Sequence, residues 1–225
     1  MKKIYAYTLF FIAFGTFIFY MSQMQSLKPD HVLIVGTSPD YPPYAYIDVK
    51  TGEIIGFDID VAKEVANRLG KECRIKDMPF SSLIFDLLSE DIDMIAAGLT
   101  PTPRKAKNVH FTQLYLQGDP LIALTQASGT PITSVDDLSG KKVVVNTGYT
   151  ADLYLSDKKG IDLIRLKSPA ESFMALKTGS VDVFVAAKSS LVNFLQQKNA
   201  DKFAMFVLPD TGDDYAIAIN KHNDT

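Results

Sequence analysis

Short apolar runs recur along the chain at residues 32–35, 94–97, 120–124 and 143–145, and again at 183–185 after Val181-Asp182. Runs of that length without polar interruption suit strands buried on both faces. Between the first two, apolar residues return every three or four positions, at Ile59, Val61, Ala62, Val65, Ala66 and Leu69, then at Leu83, Ile84, Leu87 and Leu88. That spacing gives a helix one dry face. Asp58 is the expected cap of the first helix and Gly70 its terminator, and Ser81 is the expected cap of the second. With a strand at 73–76 and a hairpin turn at Thr51-Gly52, residues 32–97 read as βαβαβ, an open α/β layer.

The pattern then repeats. Strands are predicted at 143–145, 161–166 and 181–185, with helices at 150–156 and 169–177. The second of these helices opens on Ser168-Pro169-Ala170-Glu171, a capping box with proline at the first helical position. A loop with one helical turn (132–140) precedes this series, and a helix (189–198) and two strands (203–208 and 215–219) follow it. Ile92-Asp93-Met94-Ile95 and Val181-Asp182-Val183-Phe184 hold equivalent places in the two halves, an echo that argues for two similar lobes. Open α/β sheets take ligands beyond the carboxyl ends of their strands. Two such sheets face to face predict a cleft lined by residues 38–44, Phe80, 98–104, 147–150 and 186–189.

One lining segment carries distinctive chemistry. After the apolar run 94–97 come Gly98, Thr100, Thr102, Pro103 and Arg104. A strand end, a glycine that admits close approach and a new helix with a threonine cap aim unpaired N–H groups at one spot, which favours an anion. Arg104 adds a planar fork that fits a carboxylate in two hydrogen bonds. Ahead of it, the loop from Ser38 to Tyr44 carries three prolines and two tyrosines. Such a loop is stiffened before any ligand arrives.

Composition narrows the field. The 225 residues carry a formal charge of −3 and a pI near 5.6, with no basic cluster, which excludes a nucleic-acid footprint. Cys73 is the only cysteine and the three histidines are scattered, so no internal disulfide, metal or cofactor is expected. Cys73 reads as a buried thiol. Lys2 and Lys3 precede an uncharged stretch, residues 4–21, rich in Phe, Tyr and Ile. Residues 1–25 are expected to form a signal peptide or an uncleaved anchor that places the rest outside the cytoplasm.

With these residues on the page, the chain resembles the extracytoplasmic solute-binding proteins that deliver polar amino acids to ABC importers, family 3. The likeness rests on Gly36-Thr37 through Tyr41-Pro42-Pro43-Tyr44, on Gly56-Phe57-Asp58-Ile59-Asp60, on 93–102, on Phe111-Thr112 and on 137–148. The resemblance implies a two-lobed α/β Venus-flytrap fold, each lobe an open βαβαβ sheet, hinged by crossover strands near 115–119 and 209–214. Lobe one would hold 31–116 with 212–225, and lobe two 117–211. Binding would be extracytoplasmic, by a monomer, for a membrane ABC permease, with a small amino acid or related carboxylate as ligand. A membrane-anchored sensor and a cyclohexadienyl dehydratase are the alternatives on the same fold. No carboxylate in 186–190 is placed to act as the acid of such an enzyme.

The same resemblance implies that Tyr41 and Phe80 sandwich the ligand side chain. The Gly98 backbone, the Thr100 hydroxyl and an arginine would hold the α-carboxylate, with Thr150 closing from lobe two and Ser38 and Thr147 beside it. Counting back from Phe111, Lys105 fills the family's arginine position. Arg104, with the better fork, is expected to serve instead. The family's ammonium-binding carboxylate is replaced by Ala187, followed by Lys188, and Ser38 stands where many members have aspartate. Asp40, Asp119 or Asp214 are the possible substitutes. Family members also continue through C-terminal helices covering lobe one, whereas this chain ends at Thr225, which leaves open a fragment or an incompletely covered lobe.

Overall fold

A computed structural model describes residues 30–195 and 200–222; the expected signal or anchor at 1–25 lies outside the described residues. Two five-stranded sheets organise the chain. In the first, β1 (Val32–Thr37) lies between β5 (Glu72–Asp77) and β6 (Met94–Ile95), followed by β15 (Ala218–Asn220) and β7 (Val109–Phe111). β1 and β6 are parallel, Val35 facing Met94, whereas β15 runs antiparallel to both its neighbours. The second sheet repeats the plan: β10 (Lys142–Asn146) lies between β11 (Asp162–Leu166) and β12 (Val183–Ala187), then β9 (Leu121–Gln126) and β13 (Phe203–Val207).

The sequence echo has a structural counterpart. Asp93 and Asp182 each precede the third strand of their sheet. The carboxylate of Asp93 accepts from the Ile34 N–H at 2.7 Å and that of Asp182 from the Lys142 N–H at 2.8 Å. Each aspartate thus locks its strand's register to the neighbouring parallel strand, β1 in the first sheet and β10 in the second.

Both faces of each sheet are covered, which is why the strands read as continuous apolar runs. α1 (Phe57–Arg68) lays Ala62 and Ala66 on Leu33 and Val35, while α2 (Leu83–Leu88) puts Leu83 and Leu87 against Ile92 and Ile95 on the opposite face. In the second sheet Val143 and Val145 meet Ala151 and Leu155 of α3 (Thr150–Ser156). Val144 points the other way, to Phe173 and Leu176 of α4 (Pro169–Lys177) and Leu191 of α5 (Lys188–Leu195). Cys73 is only half-buried, at the edge of the first of these clusters. The capping box forms as expected, Ser168 Oγ accepting from the Glu171 N–H at 3.3 Å and Glu171 from the Ser168 N–H at 3.2 Å. Ser168→Ala is expected to cost about 1 kcal/mol, read as a shift of the urea midpoint at unchanged slope.

Three local expectations are corrected. Asp58 does not cap α1: the N-cap is Gly56 at φ 132°. A Cβ at Gly56 would lie 2.2 Å from the Tyr44 carbonyl oxygen, so only glycine fits there, and the Asp58 carboxylate is freed for distant partners. Ser81 does not cap α2 either, because a 3₁₀ turn at Phe80–Ser82 leads into the helix. After Pro103 there is a single 3₁₀ turn, Lys105–Lys107, rather than an α-helix. Thr102 still serves it, its hydroxyl accepting from the Lys105 N–H at 3.2 Å.

The chain passes between the sheets twice, through β8 (Leu116–Asp119) and β14 (Asp213–Tyr215), which pair antiparallel with Asp213 opposite Asp119. The remaining strands, β2 (Asp40–Tyr41), β3 (Ala45–Ile47) and β4 (Ile54–Ile55), form a small antiparallel sheet that fixes the tyrosine loop.

Candidate functional site

The two crossover strands bring carboxylates to the same place as the tyrosine loop. Tyr41, Tyr44 and Tyr215 are buried together, Tyr44 packing edge-on to Tyr215 at 5.0 Å between ring centroids. The Tyr41 and Tyr215 hydroxyls are 2.7 Å apart, and Tyr215 donates its proton to Asp119 at 3.0 Å. A phenol has one proton, so Tyr41 must donate to Tyr215. What the Tyr41 oxygen has left to offer a ligand is lone pairs.

Asp119 also receives the Ser189 hydroxyl at 2.5 Å and the Ser189 N–H at 3.2 Å. β9 and β12 pair antiparallel with Leu121 opposite Ala187, and extending that register sets Asp119 against Ser189. A carboxylate therefore stands beside the segment where Ala187 leaves none, while Lys188 is exposed. Asp213, one strand over, is buried and accepts from the Thr100 hydroxyl at 3.0 Å. Desolvation raises its pKa, against the hydroxyls of Thr150 and Thr100. Asp214 faces the other way and takes the Gly118 N–H at 2.9 Å. Sequence reasoning singled out Asp214 and passed over Asp213. Alternation along a strand puts one of the pair inward, and only the pairing with β8 decides which.

Lys105 is the buried cation of this region, 8% exposed. Its ammonium donates to the Thr100 carbonyl at 3.1 Å and lies 5.8 Å from the centre of the Phe80 ring. Burial lowers its pKa to about 8, against the charge of Asp213. Arg104 is exposed, on the rim of a groove of about 410 Å³ that Phe80, Ile84, Thr147 and Leu153 also line. Arg104 is the N-cap of the 3₁₀ turn that Lys105 begins, so facing Lys105 inward turns Arg104 outward.

The remaining expected residues divide. Ser38 is buried and donates to Asp40 at 3.0 Å, so the aspartate absent at 38 stands two residues on. Asp40 is raised in pKa, chiefly by desolvation. Gly98, at φ 56°, is in contact with Tyr41, where a Cβ would come within 2.9 Å of the ring. Its N–H is already donated to Asp58 at 2.6 Å. Thr147 turns its hydroxyl to the Leu166 carbonyl at 3.3 Å. Tyr41, Phe80, Thr100, Lys105 and Thr150 converge with Asp40, Asp119 and Asp213; Arg104 and Thr147 sit at the edge.

A jaw of two α/β sheets with a polar, aromatic mouth at their strand ends is a solute-binding architecture. Residues 33–160 match the family described as bacterial extracellular solute-binding proteins, family 3, and the chain belongs to that family. It is 35% identical over 179 residues to the arginine-binding extracellular protein ArtP of Bacillus subtilis (strain 168), an alignment spanning 79% of this chain and 61% of that protein. The chain thus matches less than two thirds of ArtP's length. The arginine-bound form of a truncated ArgBP from T. maritima superposes at a TM-score of 0.79 with 34% identity, covering 85% of this chain and 89% of that one. An ancestral arginine-binding protein bound to arginine gives 0.80 at 31% identity, with 87% of each chain covered. The fold is the two-lobed one of these proteins, each named as a binding protein.

Proposed function

We propose that this chain binds a cationic amino acid of the arginine type outside the cytoplasm, closes its lobes on it and presents it, as a monomer, to a membrane ABC permease. Residues 1–25 would export or tether it. The observation that carries this reading is the imbalance of the lining. Asp40, Asp119 and Asp213, together with a Tyr41 oxygen that can only accept, share the region with one buried cation among the described residues, Lys105. Such a lining suits a ligand with one carboxylate and several N–H donors.

The ends of the ligand follow from Thr100. Lys105 bonds its carbonyl and Asp213 its hydroxyl, so a plus and a minus charge are anchored on one residue, within reach of a zwitterion's carboxylate and ammonium. The side chain would then run between Tyr41 and Phe80, where an aromatic wall tolerates a cation, toward Asp40. The relatives named as arginine-binding support the choice of ligand, and their being named as binding proteins favours transport over the dehydratase alternative.

Calorimetry against arginine, lysine, histidine, glutamine and glutamate tests the reading. Arginine should bind at micromolar Kd or tighter, and glutamate on the order of a hundredfold more weakly, because its side-chain carboxylate would meet Asp40. Equal affinity for glutamate, or no heat with any of the five from folded protein, would refute it.

A further inference from the structure

The place assigned to the ligand's side chain holds a side chain already. Tyr149, at the start of α3 beside the second sheet, reaches across to the tyrosine loop and Phe80. Its ring lies 4.2 Å from that of Phe80, centroid to centroid, and meets Tyr41 edge-on at 5.8 Å. Its hydroxyl donates to Asp40 at 3.4 Å. Aromatic ring, aromatic walls and a polar tip on Asp40 repeat, within the chain, the contacts proposed above for a long cationic side chain.

We propose that Tyr149 is a tethered competitor: it fills the seat between Tyr41 and Phe80 when no ligand is bound, and must leave it before a cationic side chain can reach Asp40. The inference rests on the reading of Tyr41, Phe80 and Asp40 as that seat. Two consequences follow. Affinity for long ligands is reduced by the fraction of molecules in which the seat is taken. Because the ring joins one lobe to the other, it also favours the closed form without ligand.

The geometry makes displacement feasible. The bond to Asp40 is long for O–H···O, so the ring contacts hold Tyr149 more than its hydroxyl does. A cation would offer Asp40 a stronger, charge-assisted partner. The Tyr149 backbone occupies the N-cap of α3 without any side-chain cap bond, so α3 does not depend on the tyrosine side chain. Asp40 sits at the meeting point, half-buried and lacking a cation among its described partners, Ser38 and Tyr149.

Tyr149→Ala and Tyr149→Phe, checked for folding by circular dichroism, separate the parts. In Y149A, arginine should bind on the order of tenfold more tightly than in the parent, while glycine, which leaves the seat occupied and profits from lobes already joined, should bind no more tightly than in the parent. Small-angle scattering of ligand-free Y149A should show a larger radius of gyration that contracts on adding arginine. Y149F keeps the ring and should stay within about threefold of the parent, with unchanged ligand-free scattering. Unchanged scattering of Y149A together with equal or weaker arginine binding would overturn the inference, making Tyr149 a fixed wall. If neither parent nor Y149A bound arginine, lysine or histidine while ligand-free Y149A still expanded, the cationic-ligand reading would fall and the occupant role of Tyr149 would stand.

Discussion

Replacing Lys105 by methionine is expected to weaken arginine binding on the order of a hundredfold near neutral pH, while Arg104→Ala stays within about threefold. The larger figure is the cost of leaving the ligand's carboxylate buried without its partner, about 3 kcal/mol. The smaller reflects an exposed guanidinium on the rim, screened by water and salt. Both are read by calorimetry. Loss of binding in R104A with K105M unaffected would mean that the outer guanidinium swings in and the buried ammonium is structural.

The same residue sets a pH dependence. Burial lowers the Lys105 pKa to about 8, below its ordinary 10.5, so the charged form is already disfavoured before a ligand arrives. A bound carboxylate stabilises the ammonium and raises that pKa. Affinity should therefore hold below pH 8 and fall as pH rises above it, approaching tenfold per unit until the bound form also deprotonates. Lys105→Arg tests the cause. A guanidinium does not titrate in this range, so K105R should bind near neutral pH and lose less affinity between pH 8 and 9. An unaltered decline in K105R would assign the dependence to another group.

The sequence was legible where its signals are local. The helices at 150–156 and 169–177 appear at those bounds, because periodicity, a capping box and a terminal glycine all act within a few residues. The paired crossover strands also fall close to the stretches expected. What could not be read is phase. Whether residue 104 or 105 at the start of a one-turn helix faces inward, and whether 213 or 214 of a short strand does, depends on tertiary partners, Phe80 and Asp213 for the first and the distant strand β8 for the second. A one-residue step reverses either answer. Tyr149 was missed although it lies in a segment expected to line the cleft. A bulky aromatic between Gly148 and Thr150, where a ligand should fit, was the available signal.

Asp58 shows the same limit and yields the second large effect. Read locally, an aspartate before an amphipathic run is a helix cap. In the fold its two oxygens reach the Gly98 N–H at 2.6 Å and the Tyr115 hydroxyl at 2.8 Å, tying α1 to the floor of the cleft and the entrance of the first crossover strand. Asp58→Ala leaves two half-buried donors without their shared acceptor, and a loss of about 3 kcal/mol is expected, measured by urea denaturation at neutral pH. The charge itself works against the fold. Desolvation outweighs the two hydrogen bonds and raises the Asp58 pKa from 3.8 to about 6. A carboxyl that holds its proton more tightly when folded contributes stability that is fully present below pH 3.8 and lost as pH rises through 6. At neutral pH the ionised group costs on the order of 3 kcal/mol relative to the protonated one. Asp58→Asn removes that cost, since the amide oxygen can accept from Gly98 while its N–H donates to the Tyr115 oxygen. D58N should therefore match or exceed the parent in stability at pH 7.5, and gain on it between pH 4 and 6 as the parent ionises. A D58N protein as unstable as D58A would show that the negative charge, rather than the pair of hydrogen bonds, holds this junction together.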